Sequence, residues 1–199
     1  QGRGSVGTGL QISHAPTVAR PWHLPQHARR VDTPAVTSPT TGFAYLDEAL
    51  TIPGAVLAFA HRGGAYHPEI EGLENTLAAF RRAIDMGYRY VETDVHATPD
   101  GRLVAFHDSV LDRVSDTRGA ISALTYDAVR EARVAGAEPI PLLAELFEEF
   151  PDVRVNIDIK SDAAVAPTIR EVLRHRAAER VCVASFSERT VVRGNAAIK

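Results

Sequence analysis

From Ala55 onward, short apolar runs alternate with segments of helical period, and this alternation limits the fold more than any other feature of the chain. "AVLAFAH" reads as a first strand, "ENTLAAFRRAIDMG" as a helix and "YRYVETDVHAT" as a second strand. "VRVNIDIK" and "RVCVASF" read as two more strands, separated by a helix around residues 163–176. Strands that alternate with helices predict an α/β architecture with a parallel sheet. One segment departs from the pattern. "RLVAFHD" follows the second strand after only "PDG", and Asp-Gly between two extended runs marks a hairpin. A parallel neighbour would need a crossover of about a dozen residues or more, so this segment is expected to fold back antiparallel.

The helices can be placed more closely. In the first, Asn75 or Thr76 caps the N-terminus, Leu77, Phe80 and Ile84 share a face, and Gly87 ends it. Short helices are also expected at "FAYLDEAL", near Thr125–Val134, and at "PLLAELFEEF" with Pro141 in its first turn. The helix around residues 163–176 presents Val165, Ile169, Val172 and Leu173. Four parallel strands are thus expected. An eight-stranded (β/α) barrel takes ~250 residues, so this chain would hold about the first half of one. A four-stranded open sheet complete in itself is the alternative.

Residues 1–42 differ from the rest. "PWHLPQHARRVDTPAVTSPTTG" is rich in Pro, Thr, Ser and Gly and has no apolar period, which predicts a weakly ordered or disordered N-terminal extension ahead of a folded domain over 43–199. His14, His23 and His27 lie in it with no acidic or thiol ligand placed beside them, and read as solvated side chains. The 199 residues, 45% hydrophobic, suffice for one domain with a real core. A formal net charge of −3 without a dense Lys/Arg stretch gives no reason to expect a nucleic-acid partner. No run approaches the ~18 apolar residues of a membrane span, and the first twenty residues lack the apolar core of a secretory signal. The single cysteine, Cys182, sits in an apolar run and reads as a small buried hydrophobe. Without a disulfide framework the chain suits a reducing compartment, and a cytoplasmic location is the expectation.

Side chains on a strand alternate between faces. In "YVETDVH", Glu92, Asp94 and His96 share one face; in "VNIDIK", Asn156, Asp158 and Lys160 do the same. On a half-exposed antiparallel strand such residues simply meet water. Strands of a parallel barrel are apolar on both faces, so carboxylates there need a cation. Glu92, Asp94 and Asp158 offer oxygen ligands only, which suit one hard divalent cation, Mg²⁺ or Ca²⁺. His61 and His107 arrive from two different elements and can act as an acid–base pair near neutral pH. With Arg62 and Lys160 added, the set describes a site for a phosphate ester at the C-terminal ends of the strands.

These residues also carry a resemblance. "AHRGG", "LENTLAAFRRAIDMGYRYVETDVHATPDGRLVAFHD", "VNIDIK" and "VASF", in that order over about residues 55–186, resemble the glycerophosphodiester phosphodiesterases. The resemblance implies an eight-stranded α/β barrel and metal-dependent hydrolysis of a small-molecule glycerophosphodiester to sn-glycerol 3-phosphate and an alcohol. It implies His61 and His107 as general acid and base, and Arg62 as the phosphate-contacting arginine. Glu92 and Asp94 match the family's metal-binding pair. Asp158 stands where the family commonly has glutamate, one methylene longer, and Lys160 matches the lysine of the same strand. Glu74 and Asn75 of "ENT" resemble residues that open the first helix near the substrate, although helix capping explains them equally. Two other functions remain open from sequence: a lysophospholipase D-like phosphodiesterase, and a truncated, non-catalytic module that binds phosphate or glycerophosphodiesters.

Overall fold

The computed structural model describes residues 41–50 and 56–185. The expected extension, except Thr41 and Gly42, lies outside the described residues, as do Phe186 and the "RGNAAIK" end. The chain enters through helix α1 (Ala44–Leu50), the helix expected at "FAYLDEAL". The Tyr90 hydroxyl donates to the Tyr45 carbonyl at 2.6 Å and ties α1 to the domain.

Strand β1 is only Phe59–Ala60, shorter than "AVLAFAH" suggests. It passes into a tight turn at His61–Gly63, and helix α2 (Leu77–Asp85) follows. Thr76 is the capping residue: its hydroxyl accepts from Ala79 N at 3.2 Å, and Gly87 leaves the helix at φ +95°. Strand β2 spans Tyr90–Ala97, and β3 (Leu103–Ala105) pairs with it antiparallel, as the Asp-Gly turn requires.

Helix α3 covers only Tyr126–Val129, and the helix expected to run to Val134 stops there. Arg133–Val134 forms strand β4 and pairs with β5 (Glu138–Pro139) around a turn in which Ala135 and Gly136 both have positive φ. Val134 also bridges to Ser115. These distant pairings outcompete the local helical pattern. Helix α4 begins at Leu143 and runs to Glu149, so Pro141 precedes the helix instead of occupying its first turn. The Pro141 carbonyl accepts from Ala105 N at 2.8 Å, which holds it extended beside β3.

Strand β6 (Arg154–Ile159), helix α5 (Asp162–Arg174) and strand β7 (Val181–Ala184) complete the described elements. The sheet order is β1-β2-β6-β7, all parallel, with β3 beside the end of β2. Val91, Val95, Val155 and Ile157 from the sheet, Phe80 and Ala83 from α2, Leu143, Leu146 and Phe147 from α4, and Val165 and Val172 from α5 form the main core. Leu173 is exposed, against expectation: it falls eight positions after Val165, at the edge of the buried stripe, in the last turn of α5. Cys182 is exposed too, on β7, which pairs with β6 alone among the described residues. A second cluster, with Val104, Phe106, Leu111, Ile121, Val129 and Ile140, gives the segment between β3 and α4 a core of its own. That segment begins beside the strand ends and carries His107.

Candidate active site

The parallel register places the polar residues. β2 and β6 align Glu92 with Asn156 and Asp94 with Asp158. With one face of the sheet packed on helices, the alternating Glu92, Asp94, Asp158 and Lys160 side chains gather on the other, toward the C-terminal strand ends. Asp94 is almost wholly buried, at 1% exposure.

At the end of β1 the turn brings His61 and Arg62 alongside. Arg62 adopts φ +51°, and its backbone N–H donates to Glu92 Oε2 at 2.9 Å. Gly63 makes this turn possible. At φ +78° it lies so close to α2 that a Cβ there would come within 2.9 Å of the Ala79 Cβ. His61 Nε2 lies 3.8 Å from Glu92 Oε2, and the imidazole stacks with the exposed Tyr66 ring at a centroid distance of 5.9 Å. The Arg62 guanidinium lies 3.3 Å from Asp94 Oδ2 and 3.3 Å from Glu74 Oε1.

Asn75 is buried at φ +60°, a conformation that asparagine tolerates better than most residues. Its side-chain amide donates to Asp94 Oδ2 at 2.9 Å, and its side-chain oxygen accepts from the Thr93 hydroxyl at 2.8 Å. Its backbone N–H donates to the Arg62 carbonyl at 3.0 Å. Asn75 therefore braces the carboxylate of Asp94 from behind. Capping falls to Thr76.

Lys160 closes the site from β6. Its ammonium lies 2.8 Å from Asp94 Oδ1 and 2.6 Å from Asp158 Oδ2. Burial alone would lower its pKa, yet the hydrogen bonds to Asp158 and Asp94 outweigh that and hold it above the usual lysine value. Burial, and then the neighbouring Asp94 charge, push the Glu92 carboxyl up to about 7. For His61, burial and then the Arg62 charge pull the imidazole below its ordinary value.

His107 enters from the far side. Its Nδ1 lies 2.6 Å from Asp108 Oδ1. A carboxylate can only accept, so the proton is on Nδ1 and the other ring nitrogen is left for chemistry. The His107 carbonyl accepts from His96 Nε2 at 3.1 Å, and Phe106 N donates to the Asp94 carbonyl at 2.9 Å. His96, on the same strand face as Glu92 and Asp94, thus props the backbone of His107.

All nine candidate site residues lie in this region, His96 joins them from the strand face on which the sequence placed it, and the structure adds Asp108 and Arg113. Asp108 was legible as the neighbour of His107. Arg113 carried no periodic or motif signal, and one of its two partners, Glu74, lies 39 residues away in the chain.

Among the described residues, no three His, Cys, Asp or Glu side chains form a preformed metal cluster. The donor set nevertheless fits a hard cation. It consists of oxygens, Asp158 Oδ1 is buried without a hydrogen-bond partner, and burial together with the neighbouring Asp94 charge disfavours the ionised form of Glu92, a cost that a bound cation would offset. Lys160 and Arg62 supply part of that charge.

The family model for the glycerophosphoryl diester phosphodiesterase family matches residues 61–197. A probable glycerophosphodiester phosphodiesterase 2 of Mycobacterium tuberculosis is 41% identical over 136 residues, which cover 68% of this chain and 50% of that protein. A glycerophosphodiester phosphodiesterase of Caldanaerobacter subterraneus is 36% identical over 146 residues, 66% of this chain and 58% of that one. Among solved structures, an Oleispira antarctica phosphodiesterase in complex with the product sn-glycerol-3-phosphate superposes with a TM-score of 0.60 at 26% identity, covering 69% of this chain and 60% of that one. The chain spans about half the length of the curated relatives it matches. The fold is that of the α/β-barrel phosphodiesterases, and the described strands form an open part of such a barrel.

Proposed function

Because the chain belongs to the glycerophosphoryl diester phosphodiesterase family, we propose that its strand-end site hydrolyses a glycerophosphodiester to sn-glycerol 3-phosphate and an alcohol. The observation that carries this reading is the convergence of His61, Arg62 and Lys160 on the carboxylates of Glu92, Asp94 and Asp158 at the ends of β1, β2 and β6, with His107 following directly on a segment hydrogen-bonded to the Asp94 backbone. The product-bound neighbour supports the substrate class.

Glu92, Asp94 and Asp158 would hold one divalent cation, Mg²⁺ or Ca²⁺, which when bound neutralises charge developing on the phosphoryl oxygens. The chain's own residues do the rest. Arg62 offers donors to a phosphoryl oxygen, and its contacts with Glu74 and Asp94 fix where the guanidinium points. Lys160 adds a fixed positive charge beside Asp94 and Asp158. One of His61 and His107 takes the proton of the attacking oxygen as the new P–O bond forms. The other gives a proton to the departing alkoxide as the old bond breaks. Asn75 serves by holding Asp94, and Glu74 by holding Arg62.

The direct test is release of sn-glycerol 3-phosphate from glycerophosphocholine, measured after EDTA treatment and again with Mg²⁺ or Ca²⁺ restored. Release that stops with chelation, returns with the ion and is lost in Asp94→Ala is expected. Folded protein that releases none under any of these conditions would overturn the proposal.

A further inference from the structure

Arg113 lies outside every motif, yet it joins the two halves of the site. Its Nε lies 2.6 Å from Asp108 Oδ2, while its two terminal nitrogens reach Glu74 at 2.5 Å and 3.2 Å. Asp108 turns its other oxygen to His107 Nδ1 at 2.6 Å. Glu74, through Oε1, also meets Arg62 at 3.3 Å. One guanidinium thus connects the segment after β3, which bears His107, to the loop before α2, which steadies Arg62.

We propose that Arg113 is the positioning residue for His107: it clamps Asp108 so that the carboxylate holds the Nδ1 proton and aims Nε2 of His107 at the substrate. The inference rests on the reading of His107 as an acid or base in phosphodiester hydrolysis. Its physical basis is geometric. Asp108 is only partly shielded, and alone its side chain could rotate toward water. The planar fork of an arginine holds one carboxylate edge-on while its far side grips a second. Lysine offers a single point of charge and cannot span Asp108 and Glu74 in this way. Loss of the clamp would free Asp108 and let His107 sample both neutral tautomers, only one of which leaves Nε2 unprotonated.

Three variants of the full chain test this: Arg113→Met, which keeps the stem and removes the fork, Arg113→Lys, and Asp108→Asn. Two quantities are read: kcat and KM for glycerophosphocholine, and the ¹⁵N chemical shifts of the His107 ring, which report its tautomer directly. Circular dichroism confirms folding. In Arg113→Met, kcat should fall by about 10–100-fold, the scale on which partners one step behind a reacting group act, with KM changed far less. The His107 shifts should move toward a tautomer mixture in the same variant and further in Asp108→Asn, and Arg113→Lys should recover only part of either signal. A folded Arg113→Met with unchanged His107 shifts would overturn the proposal, whatever its kcat. If the parent chain shows no turnover, the ring shifts still decide: a changed tautomer in Arg113→Met supports the clamp while the hydrolase reading fails separately.

Discussion

Asp94 of β2 and Asp158 of β6 stand directly across from each other in the parallel sheet, and the Lys160 ammonium bridges them at 2.8 Å and 2.6 Å. Two carboxylates at adjacent positions repel, and in this structure the protein's own cation relieves the repulsion. Lys160 therefore holds the site together as well as lending it charge.

Lys160→Met tests that arrangement. With the ammonium gone, a nearly buried Asp94 keeps Arg62 and Asn75 as its side-chain partners among the described residues. The variant should lose roughly 2–4 kcal/mol of stability in EDTA, somewhat below the cost of breaking a fully buried pair. Mg²⁺ or Ca²⁺ should restore more stability to the variant than it adds to the parent. Denaturant titration with and without the ion measures both, and an ion effect equal in the two proteins would count against Asp94 and Asp158 as its ligands.

For the histidines the expected outcome is kinetic. His61→Ala and His107→Ala should each reduce turnover of glycerophosphocholine by roughly 10²–10⁴-fold. Neither should alter stability much, since both rings are part-exposed. Near-parent turnover in either variant would remove that histidine from the reaction.

Asn75 separates backbone strain from hydrogen bonding. Asn75→Ala loses the bonds to Thr93 and Asp94 and leaves a Cβ at φ +60°. Asn75→Gly loses the same bonds without the steric penalty. Both should destabilise, alanine by about 2–4 kcal/mol, with glycine about 1 kcal/mol milder. Equal losses would show that the positive φ costs nothing at this site.

Asp108 provides a pH signature. Hydrogen bonding from Arg113, against some burial, holds its carboxyl below the usual aspartate value of 3.8. The unfolded chain takes up the proton first as pH falls. The stabilisation is therefore present above about pH 4 and is lost as pH drops through the lower folded value. Asp108→Asn should show a shallower loss of stability on acidification in that range, measured by thermal melts between pH 5 and 2.5. A slope identical to the parent's would mean that Asp108 gains nothing from Arg113.

Local pattern was enough for much of the architecture. The two-residue alternation of "YVETDVH" and "VNIDIK" placed Glu92, Asp94, Asp158 and Lys160 on one face, because strand geometry leaves no other choice once the opposite residues are apolar. The "PDG" turn was enough to reverse β3 and Gly87 to end α2, while the cap was narrowed to Asn75 or Thr76 and the structure gave it to Thr76. The nine candidate residues came from this pattern and from the motif resemblance together.

Tertiary structure decided what depends on partners distant in the chain. Nothing local sets the register that puts Asp94 opposite Asp158, makes Asn75 a brace for Asp94, or ends the helix at Val129 so that Val134 can pair with Glu138 and Ser115. Arg113 shows this most plainly, since its clamp on Glu74 closes a loop of 39 residues. A sequence states periodicity and turn chemistry, which act over a few residues. Which charged group meets which is settled only when strand register, turn strain and burial are satisfied together.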